Sequence, residues 1–315
     1  MMPFTTRRGL LGGLSAALLV HPALAETTVL RVGDQKGGAQ ALMKAAGAME
    51  GLPFRVEWSQ FSAAAPLLEA LNAGAIDCGF AGDAPTTFAL AVGVPARIIA
   101  PTRSSGASTA IMVPQASLIR SAADLKGRTV GTNRGSIGHA LVLAVGEAQG
   151  WAAGDIKIAN LLPSEASAAM ATGAVDAWSS WGVYVAKARL IDGARIVIDG
   201  RDGLMTGLSY LVARDAAIAA HRSALLAFST RLTAARRWAA THRNEYSDVL
   251  AAEIGVTQEV ARLIFETETP MPVLIDEQVI QDQQKTSDRF LRAGVVRSRL
   301  DARAMFDASF NASLA

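Results

Sequence analysis

Apolar and polar positions along the chain alternate in blocks that predict strands and helices in turn. The first block predicts a strand at Val29–Gln35, and a Gly37-Gly38 turn separates it from a helical pattern at 39–49. Further strands are predicted at 54–61, 76–81 and 96–101, with a helix at 63–73. Strands separated by helices of this length pair in parallel through right-handed crossovers, so the pattern indicates an α/β fold.

A second cycle of the same pattern follows residue 127. It predicts strands at 128–132, 156–161, 175–178 and 194–198, and helices at 137–149 and 163–172. A strand at 210–213 returns to the first lobe, and the chain is almost wholly helical from Asp215 onward. We therefore predict two doubly wound lobes and a helical C-terminal region. The first lobe comprises 26–108 and 208–315, the second comprises 109–207, and the two hinge crossings lie near 105–112 and 206–210.

The first 25 residues have the composition of an export signal. Arg7 and Arg8 precede a glycine-diluted apolar stretch at 9–20, and Ala23-Leu24-Ala25 forms a small-x-small cleavage site. The arginine pair favours twin-arginine export, with an ordinary Sec signal as the alternative. The stretch is too short to span a bilayer comfortably, and no lipobox cysteine follows the cleavage site. We expect a soluble periplasmic protein.

The charge balance argues against nucleic acid as a partner. The chain has 30 basic and 28 acidic residues, and the export signal removes Arg7 and Arg8 but no acid, so the mature chain is formally neutral. A nucleic-acid-binding protein shows a basic excess gathered in one stripe. The nearest approach to a stripe is an arginine group in a helical pattern, which we interpret as a solvated helix face. Its members are Arg231, Arg236, Arg237 and Arg243.

Residues with the spacing of a catalytic or metal site are absent from the sequence. Cys78 is the only cysteine, so no intramolecular disulfide can form, and its apolar surroundings predict a buried, inert thiol. The four histidines are scattered, and no histidine or cysteine cluster has metal-ligand spacing. We expect no cofactor, no metal and no catalytic residue.

Residues 135–139 form the strongest candidate for anion binding. Gly135 and Ser136 make a turn between a predicted strand and a helix that begins near Ile137. A helix start offers unpaired N–H groups and the positive end of the helix dipole, and Ser136 can add its hydroxyl or act only as the N-cap. The segment is not a P-loop, because no Lys-Ser/Thr follows at the required spacing. Arg134 stands where a nucleophile elbow has its first glycine.

Two turns of the first lobe offer further hydrogen-bond donors. Gln35 ends the first strand beside a glycine pair, where its amide either donates toward the cleft or is solvated. The segment Gly82-Asp83-Ala84-Pro85 predicts a helix start with Asp83 as the N-cap. Because a carboxylate repels a bound anion, we expect the backbone N–H groups of this turn to be the donors. Asp83 itself is expected to cap the helix or to meet an amine on the ligand.

Two tryptophans and one arginine complete the candidates from residue chemistry. Trp178 and Trp181 flank the turn after a predicted strand, where an indole can line the pocket for an alkyl or aryl tail. Packing in the core is the alternative for both, and we favour the cleft for Trp178. Arg103 is the cationic side chain expected to face the cleft, paired with either the anion or a carboxylate across the hinge.

Six segments, in this order along the chain, resemble the aliphatic-sulfonate-binding proteins, which are the receptors of sulfonate ABC importers. They are residues 31–37, 68–77, 82–85, 124–127, 135–139 and 173–181. The resemblance extends from about residue 30 to residue 214 and continues more diffusely to the C-terminus. It implies the bilobed type II periplasmic-binding-protein fold. It also implies that the protein captures a small organic anion, an aliphatic or aryl sulfonate, for a membrane permease.

The resemblance carries site residues with it, and the chain departs from the family pattern at two places. Ile137 and Gly138 replace residues that usually bear hydroxyls, so only their backbone N–H groups remain as donors. His139 is a candidate ligand contact or a packing residue, and Thr206 is implied as a donor at the hinge. Gly182-Val183 replaces the usual Asp-Pro, which loosens the turn and enlarges the pocket for the ligand tail.

Other functions remain open at this stage. The wider group includes receptors for taurine, nitrate and pyrimidine precursors, and enzymes also use the bilobed fold. An enzyme of that kind would need clustered histidines, and a sensor domain would need a segment that transmits a signal. We therefore predict a monomeric receptor whose partners are a small anion and a membrane permease, not nucleic acid.

Overall fold

The computed structural model describes Met1, residues 28–152 and residues 154–315. Apart from Met1, the predicted export signal and its cleavage site fall outside the described residues, and both stay predictions. The strands are β1 (Val29–Gln35), β2 (Arg55–Phe61), β3 (Cys78–Gly82), β4 (Ala96–Arg103), β5 (Thr109–Val113), β6 (Thr129–Thr132), β7 (Lys157–Asn160), β8 (Ala177–Trp181), β9 (Arg195–Asp199), β10 (Leu208–Arg214) and β11 (Met271–Pro272). The helices are α1 (Ala39–Ala45), α2 (Ala64–Asn72), α3 (Asp83–Ala91), α4 (Ile137–Ala148), α5 (Pro163–Ala171), α6 (Gly182–Leu190), α7 (Asp215–Thr241), α8 (Arg243–Ile254), α9 (Gln258–Thr267) and α10 (Glu277–Arg292).

The first sheet has the strand order β11-β4-β10-β3-β1-β2. β1 pairs in parallel with both β2 and β3, as the strand–helix alternation predicts. β10 pairs antiparallel with β3 and β4, because it enters the sheet from the other half of the molecule rather than through a helical crossover. Helices α7 to α9 cover this sheet through a cluster that includes the fully buried Leu225, Phe228 and Leu250.

The second sheet has the order β7-β6-β8-β5-β9. β6 is parallel to β7 and β8, whereas β5 is antiparallel to β8 and β9. The sequence interpretation missed β5 and assigned most of it to a hinge crossing. The segment Thr109–Val113 is buried at every position, and this short apolar run was the available signal.

Two crossings join the sheets side by side. One runs from Arg103 to Thr109 and the other from Asp199 to Leu208, and the Ser104 N–H donates to the Gly207 carbonyl at 2.9 Å. Gly207 has φ +68°, and a Cβ there would collide with the Ser104 backbone. Only glycine therefore allows the two crossings to approach so closely.

A surface contact also links the two sheets outside the crossings. Glu147, on α4 beside the second sheet, accepts hydrogen bonds from Arg289 at 2.8 Å and Arg292 at 2.7 Å, both on α10 beside the first sheet. The two guanidinium groups lower the pKa of Glu147 against the opposing effect of its partial burial. Phe290 of α10 packs beneath this contact in an apolar cluster with Ala84 and Ala140.

Cys78 is a core residue of β3, as predicted. Its side chain has no exposed surface, and burial raises the pKa of its thiol far above the usual range. Such a thiol stays protonated and unreactive near neutral pH.

Candidate functional site

A cavity of about 330 Å³ lies between the two sheets, at the carboxyl ends of their parallel strands. Turns after β1, β3, β6 and β8 form much of its wall, which is where open α/β sheets bind ligands. Helices α2, α7 and α9 close the remaining sides. Of the predicted site residues, this cavity brings together five, namely Gln35, Gly82, Ser136, Ile137 and Trp181.

The turn before α4 is built by hydrogen bonds within itself. Ser136 is the N-cap, and its Oγ accepts the N–H of His139 at 3.2 Å. His139 Nδ1 in turn accepts the N–H of Gly135 at 3.1 Å. Burial, and secondarily the charge of Arg134, lower the pKa of His139 to about 4, so its imidazole is neutral. His139 is not among the residues that line the cavity, and its hydrogen bonds hold the turn.

The first amides of α4 are the donors that this turn leaves free. Within the described part of the chain, the N–H groups of Ile137 and Gly138 have no backbone or side-chain acceptor. The side chain of Ile137 borders the cavity. Gly138 is buried behind it, and a Cβ there would lie 2.7 Å from the Ser179 carbonyl oxygen. Gly138 therefore allows α4 to lie directly against β8.

Gln35 ends β1 at the cavity wall. Its Nε2 donates to the Phe80 carbonyl at 3.1 Å, which fixes the side chain across the sheet. An amide nitrogen carries two protons, and one of them is used in this contact. Gln35 lines the cavity, and its role as a donor to ligand stays a prediction.

The turn at Gly82 differs from the sequence interpretation by one residue. Gly82 is the N-cap of α3, and Asp83 is the first helical residue rather than the cap. Asp83 is 1% exposed, and its Oδ2 accepts the hydroxyls of Thr206 at 2.6 Å and Thr286 at 2.7 Å. Burial raises the pKa of this carboxyl despite these bonds. Asp83 lies outside the lining of the main cavity and is occupied by protein donors.

Arg103 and Thr206 belong to the hinge and not to the cavity. Arg103 forms an ion pair with Asp282 of α10 at 2.8 Å and donates to the Thr206 carbonyl at 2.9 Å. The Thr206 hydroxyl is directed to Asp83. Of the two alternatives for Arg103, the structure shows a pairing with a carboxylate, but Asp282 belongs to the same lobe as Arg103, so the ion pair does not cross the hinge. The implied role of Thr206 as a ligand donor is not supported in this conformation.

The two tryptophans have different environments. Trp178 is 2% exposed and packs in the core of the second lobe against Met112 and Val175, so its assignment to the cleft was wrong. It lies on β8 three residues before Trp181, so the alternation of side chains along the strand directs it to the opposite face, toward the core. Trp181 lines the cavity and packs edge-on against Tyr184 at 5.9 Å between ring centroids. Gly182 follows with φ +50° and begins α6.

The sequence interpretation missed the charged part of the wall. Arg236 was assigned to a solvated face, but it lines the cavity, and burial lowers its pKa against the attraction of Asp34 and Glu268. Its Nε has no hydrogen-bond partner among the described residues. Arg237 instead donates to the carbonyls of Leu314 and Ala315. The helical spacing was the sequence signal that could have separated Arg236 from Arg237, because neighbouring residues of a helix point to different faces.

Asp34 is a second charged residue that sequence reasoning overlooked. It lines the cavity at 1% exposure, and its Oδ2 accepts the N–H of Gln40 at 2.8 Å at the start of α1. Burial raises its pKa to about 6. Its Oδ1 has no partner in the described part of the structure. Its position in the Gly33-Asp34-Gln35 segment at a strand end was the signal for it.

Two α/β sheets joined by paired crossings around a cavity at their carboxyl edges define a bilobed solute-binding protein. The chain belongs to the NMT1/THI5-like family, which matches residues 54–245. It is 32% identical over 300 residues to a protein of Escherichia coli strain K12 named for aliphatic sulfonate binding, and the match covers 93% of each chain.

Solved structures agree with this assignment. The alkanesulfonate-binding protein SsuA of Xanthomonas axonopodis pv. citri, bound to MOPS, superimposes with a TM-score of 0.83 at 30% identity, covering 90% of this chain and 99% of that one. The periplasmic aliphatic sulphonate binding protein SsuA of Escherichia coli superimposes with a TM-score of 0.78, also at 30% identity, covering 88% and 97%. The type II periplasmic-binding-protein fold predicted from the sequence is thereby confirmed. No helix in the described residues is both long and apolar enough to cross a membrane.

Proposed function

We propose that this protein is a periplasmic receptor that captures small sulfonates and delivers them to the permease of an ABC importer. The observation that carries the proposal is the pair of helix starts, at Gly82 and Ile137, that meet at one cavity. A sulfonate keeps its charge near neutral pH, so fixed N–H donors can bind it without any proton transfer. The family relatives are named for this class of ligand.

The anion is assigned to the space between Gly82 and Gln35 of the first lobe and Ser136 and Ile137 of the second. In this placement the free amides of α4 donate to the anion, and the positive end of this 12-residue helix strengthens the attraction. Trp181 borders the same cavity and supplies an apolar face for the ligand tail. The relevant class of protein is a receptor rather than an enzyme, since the close relatives are binding proteins.

The remaining features of the proposal concern the molecule as a whole. We assign residues 26–108 and 208–315 to one lobe and 109–207 to the other, which places each sheet in a single lobe. Export through the twin-arginine route follows from Arg7 and Arg8. The receptor acts as a monomer that presents both lobes to its permease.

Calorimetry and thermal shift on the mature protein test this function. The ligands are methanesulfonate, 1-butanesulfonate, benzenesulfonate and 3-aminopropanesulfonate, with nitrate and sulfate as comparisons. A sulfonate that binds only the native state raises the melting temperature, and at a fixed concentration the rise is larger for a tighter ligand. Small-angle scattering with saturating ligand checks that binding favours a closed arrangement. The absence of any heat or thermal shift with all four sulfonates contradicts the proposal.

A further inference from the structure

Glu268 lies in the cavity wall close to the start of α4. It is the C-cap of α9, and it borders both the main cavity and a smaller one of about 30 Å³ that Ile137 and Ser209 also border. A space of that size holds about one or two water molecules. Glu268 and the first residue of α4 therefore border the same small space. On its other side, Glu268 Oε2 lies 3.1 Å from the place that a Cβ on Gly182 would occupy.

The carboxylate of Glu268 has no hydrogen-bond donor in the described part of the chain. Burial raises its pKa, and the charge of Arg236 opposes that shift, but no direct bond to Arg236 forms. Glu268 is partly exposed and lines the cavity, so a carboxylate without a protein partner faces the space for the ligand, where a cationic group would compensate its charge.

Other charges near Glu268 leave a negative excess in the inner wall. Asp34 is buried beside Arg236 and keeps one oxygen without a partner. Two carboxylates thus share one guanidinium. The other charged lining residues, Lys36, Glu69 and Arg134, are exposed, where solvent screens them.

We propose that this receptor selects sulfonates that carry a cationic nitrogen a few carbons from the sulfonate group, with Glu268 as the acceptor for that nitrogen. The inference rests on the proposed function, because it takes the sulfonate to bind at the α4 start. A carboxylate in the wall of the cavity that holds the anion repels a plain alkanesulfonate. An ammonium group on the same ligand converts the repulsion into a desolvated ion pair. Discrimination therefore comes from both the attraction and the repulsion.

The acid predicted from the sequence to meet an amine was Asp83. Asp83 is not available for an amine, because the hydroxyls of Thr206 and Thr286 already donate to its Oδ2. Glu268 has the free acceptor oxygens and the open cavity that Asp83 lacks.

The test compares two ligands of equal heavy-atom count, 3-aminopropanesulfonate and 1-butanesulfonate. Dissociation constants are measured by calorimetry at pH 7 for the wild type, for Glu268→Gln and for Glu266→Gln. Glu266 is exposed on the same helix and serves as the matched control. Thermal melting of each protein without ligand verifies that the variants are folded.

We expect the wild type and Glu266→Gln to bind the amino compound at least about tenfold more tightly than butanesulfonate. Glu268→Gln should bring the two dissociation constants within about threefold, mainly by weakening the amino compound and strengthening butanesulfonate. Equal affinities in the wild type, or a preference that persists in Glu268→Gln, overturn the inference and leave sulfonate binding intact. Failure of both ligands to bind the wild type overturns the proposed function as well.

Discussion

Gly82 and Ile137 meet at the wall of the cavity, one from each lobe, with no room between them for a side chain on the glycine. A Cβ built on Gly82 would lie 2.5 Å from Cγ2 of Ile137. Gly82 has φ −69° and ψ 171°, which any residue can adopt, so the restriction is the contact and not the backbone. The two helix starts can approach each other because position 82 is glycine.

Gly82→Ala should therefore weaken sulfonate binding while leaving the fold intact. The added methyl group displaces Ile137 and the α4 start, and we expect a loss of about tenfold in affinity. Adding Ile137→Ala should restore most of the loss, because it removes the colliding atom. Calorimetry on the two single variants and the double variant gives the coupling energy. Additive losses would mean that the two residues do not meet in the bound state.

Ser136→Ala removes a cap and a candidate ligand contact together. We expect a loss of about 1 kcal/mol in unfolding free energy from the cap, and of about 1–2 kcal/mol in sulfonate binding. Thr257→Ala is the matched control, because Thr257 caps α9 by the same bond to Val260 and does not line the cavity. Urea denaturation and calorimetry separate the two effects. If the two variants lose the same affinity, the anion does not contact Ser136.

His139 should make stability depend on pH in a defined window. Its pKa is about 4 in the folded protein and about 6.5 when unfolded. Because the folded pKa is depressed, the contribution is complete above pH 6.5 and is lost as the pH falls toward 4. The full loss is about 3 kcal/mol.

Asn at position 139 keeps an acceptor for the Gly135 N–H and cannot titrate, so His139→Asn is the reference. Asp34, with a pKa raised to about 6, acts in the opposite direction in the same window. The difference between the wild type and His139→Asn cancels the effect of Asp34. Unfolding free energies between pH 4 and 7.5 provide the measurement, and a constant difference over that range would contradict the assignment.

The two tryptophans should separate stability from ligand selectivity. Trp178→Ala leaves a void in the core of the second lobe and should cost about 3–5 kcal/mol of unfolding free energy. Trp181→Ala should cost less, and should weaken 1-butanesulfonate and benzenesulfonate more than methanesulfonate. Chemical denaturation and a ligand series measured by calorimetry test both statements. Equal losses for short and long sulfonates would remove Trp181 from the tail pocket.

Export should depend on the arginine pair at the start of the chain. Replacing Arg7 and Arg8 together by Lys should leave the precursor in the cytoplasm if the twin-arginine route is used. Cell fractionation with immunodetection of precursor and mature forms is the measurement. Normal export of the double variant would identify a Sec signal instead.

The sequence predicted those parts of the fold that local patterns determine. Strands β1 to β3 and β6 to β8 and the helices between them lie close to their predicted positions, because local apolar patterns and turn residues mark their bounds. The five-residue β5 was missed because its antiparallel partners, β8 and β9, come from distant segments. The apolar run at Thr109–Val113 was a local signal for a strand, but its partners are not visible in a local window.

The candidate site was predictable at its backbone donors and less so at its side chains. Ser136 and Gly82 follow strands directly, so their place at a common sheet edge follows from topology. Trp178 and Arg236 were misplaced for the same physical reason. The direction of a side chain depends on the register of its strand or the rotation of its helix, and a shift of one residue changes the face it occupies.

Asp83 joins three parts of the molecule at one buried carboxylate, namely the start of α3, the crossing at Thr206 and helix α10 at Thr286. It is adjacent to Gly82, whose turn borders the cavity. A substitution at position 83 would alter the donor turn and the crossing together. During divergence toward new ligands, variation is therefore expected at cavity residues such as Trp181 and Glu268, which can change without disturbing the joint between the lobes.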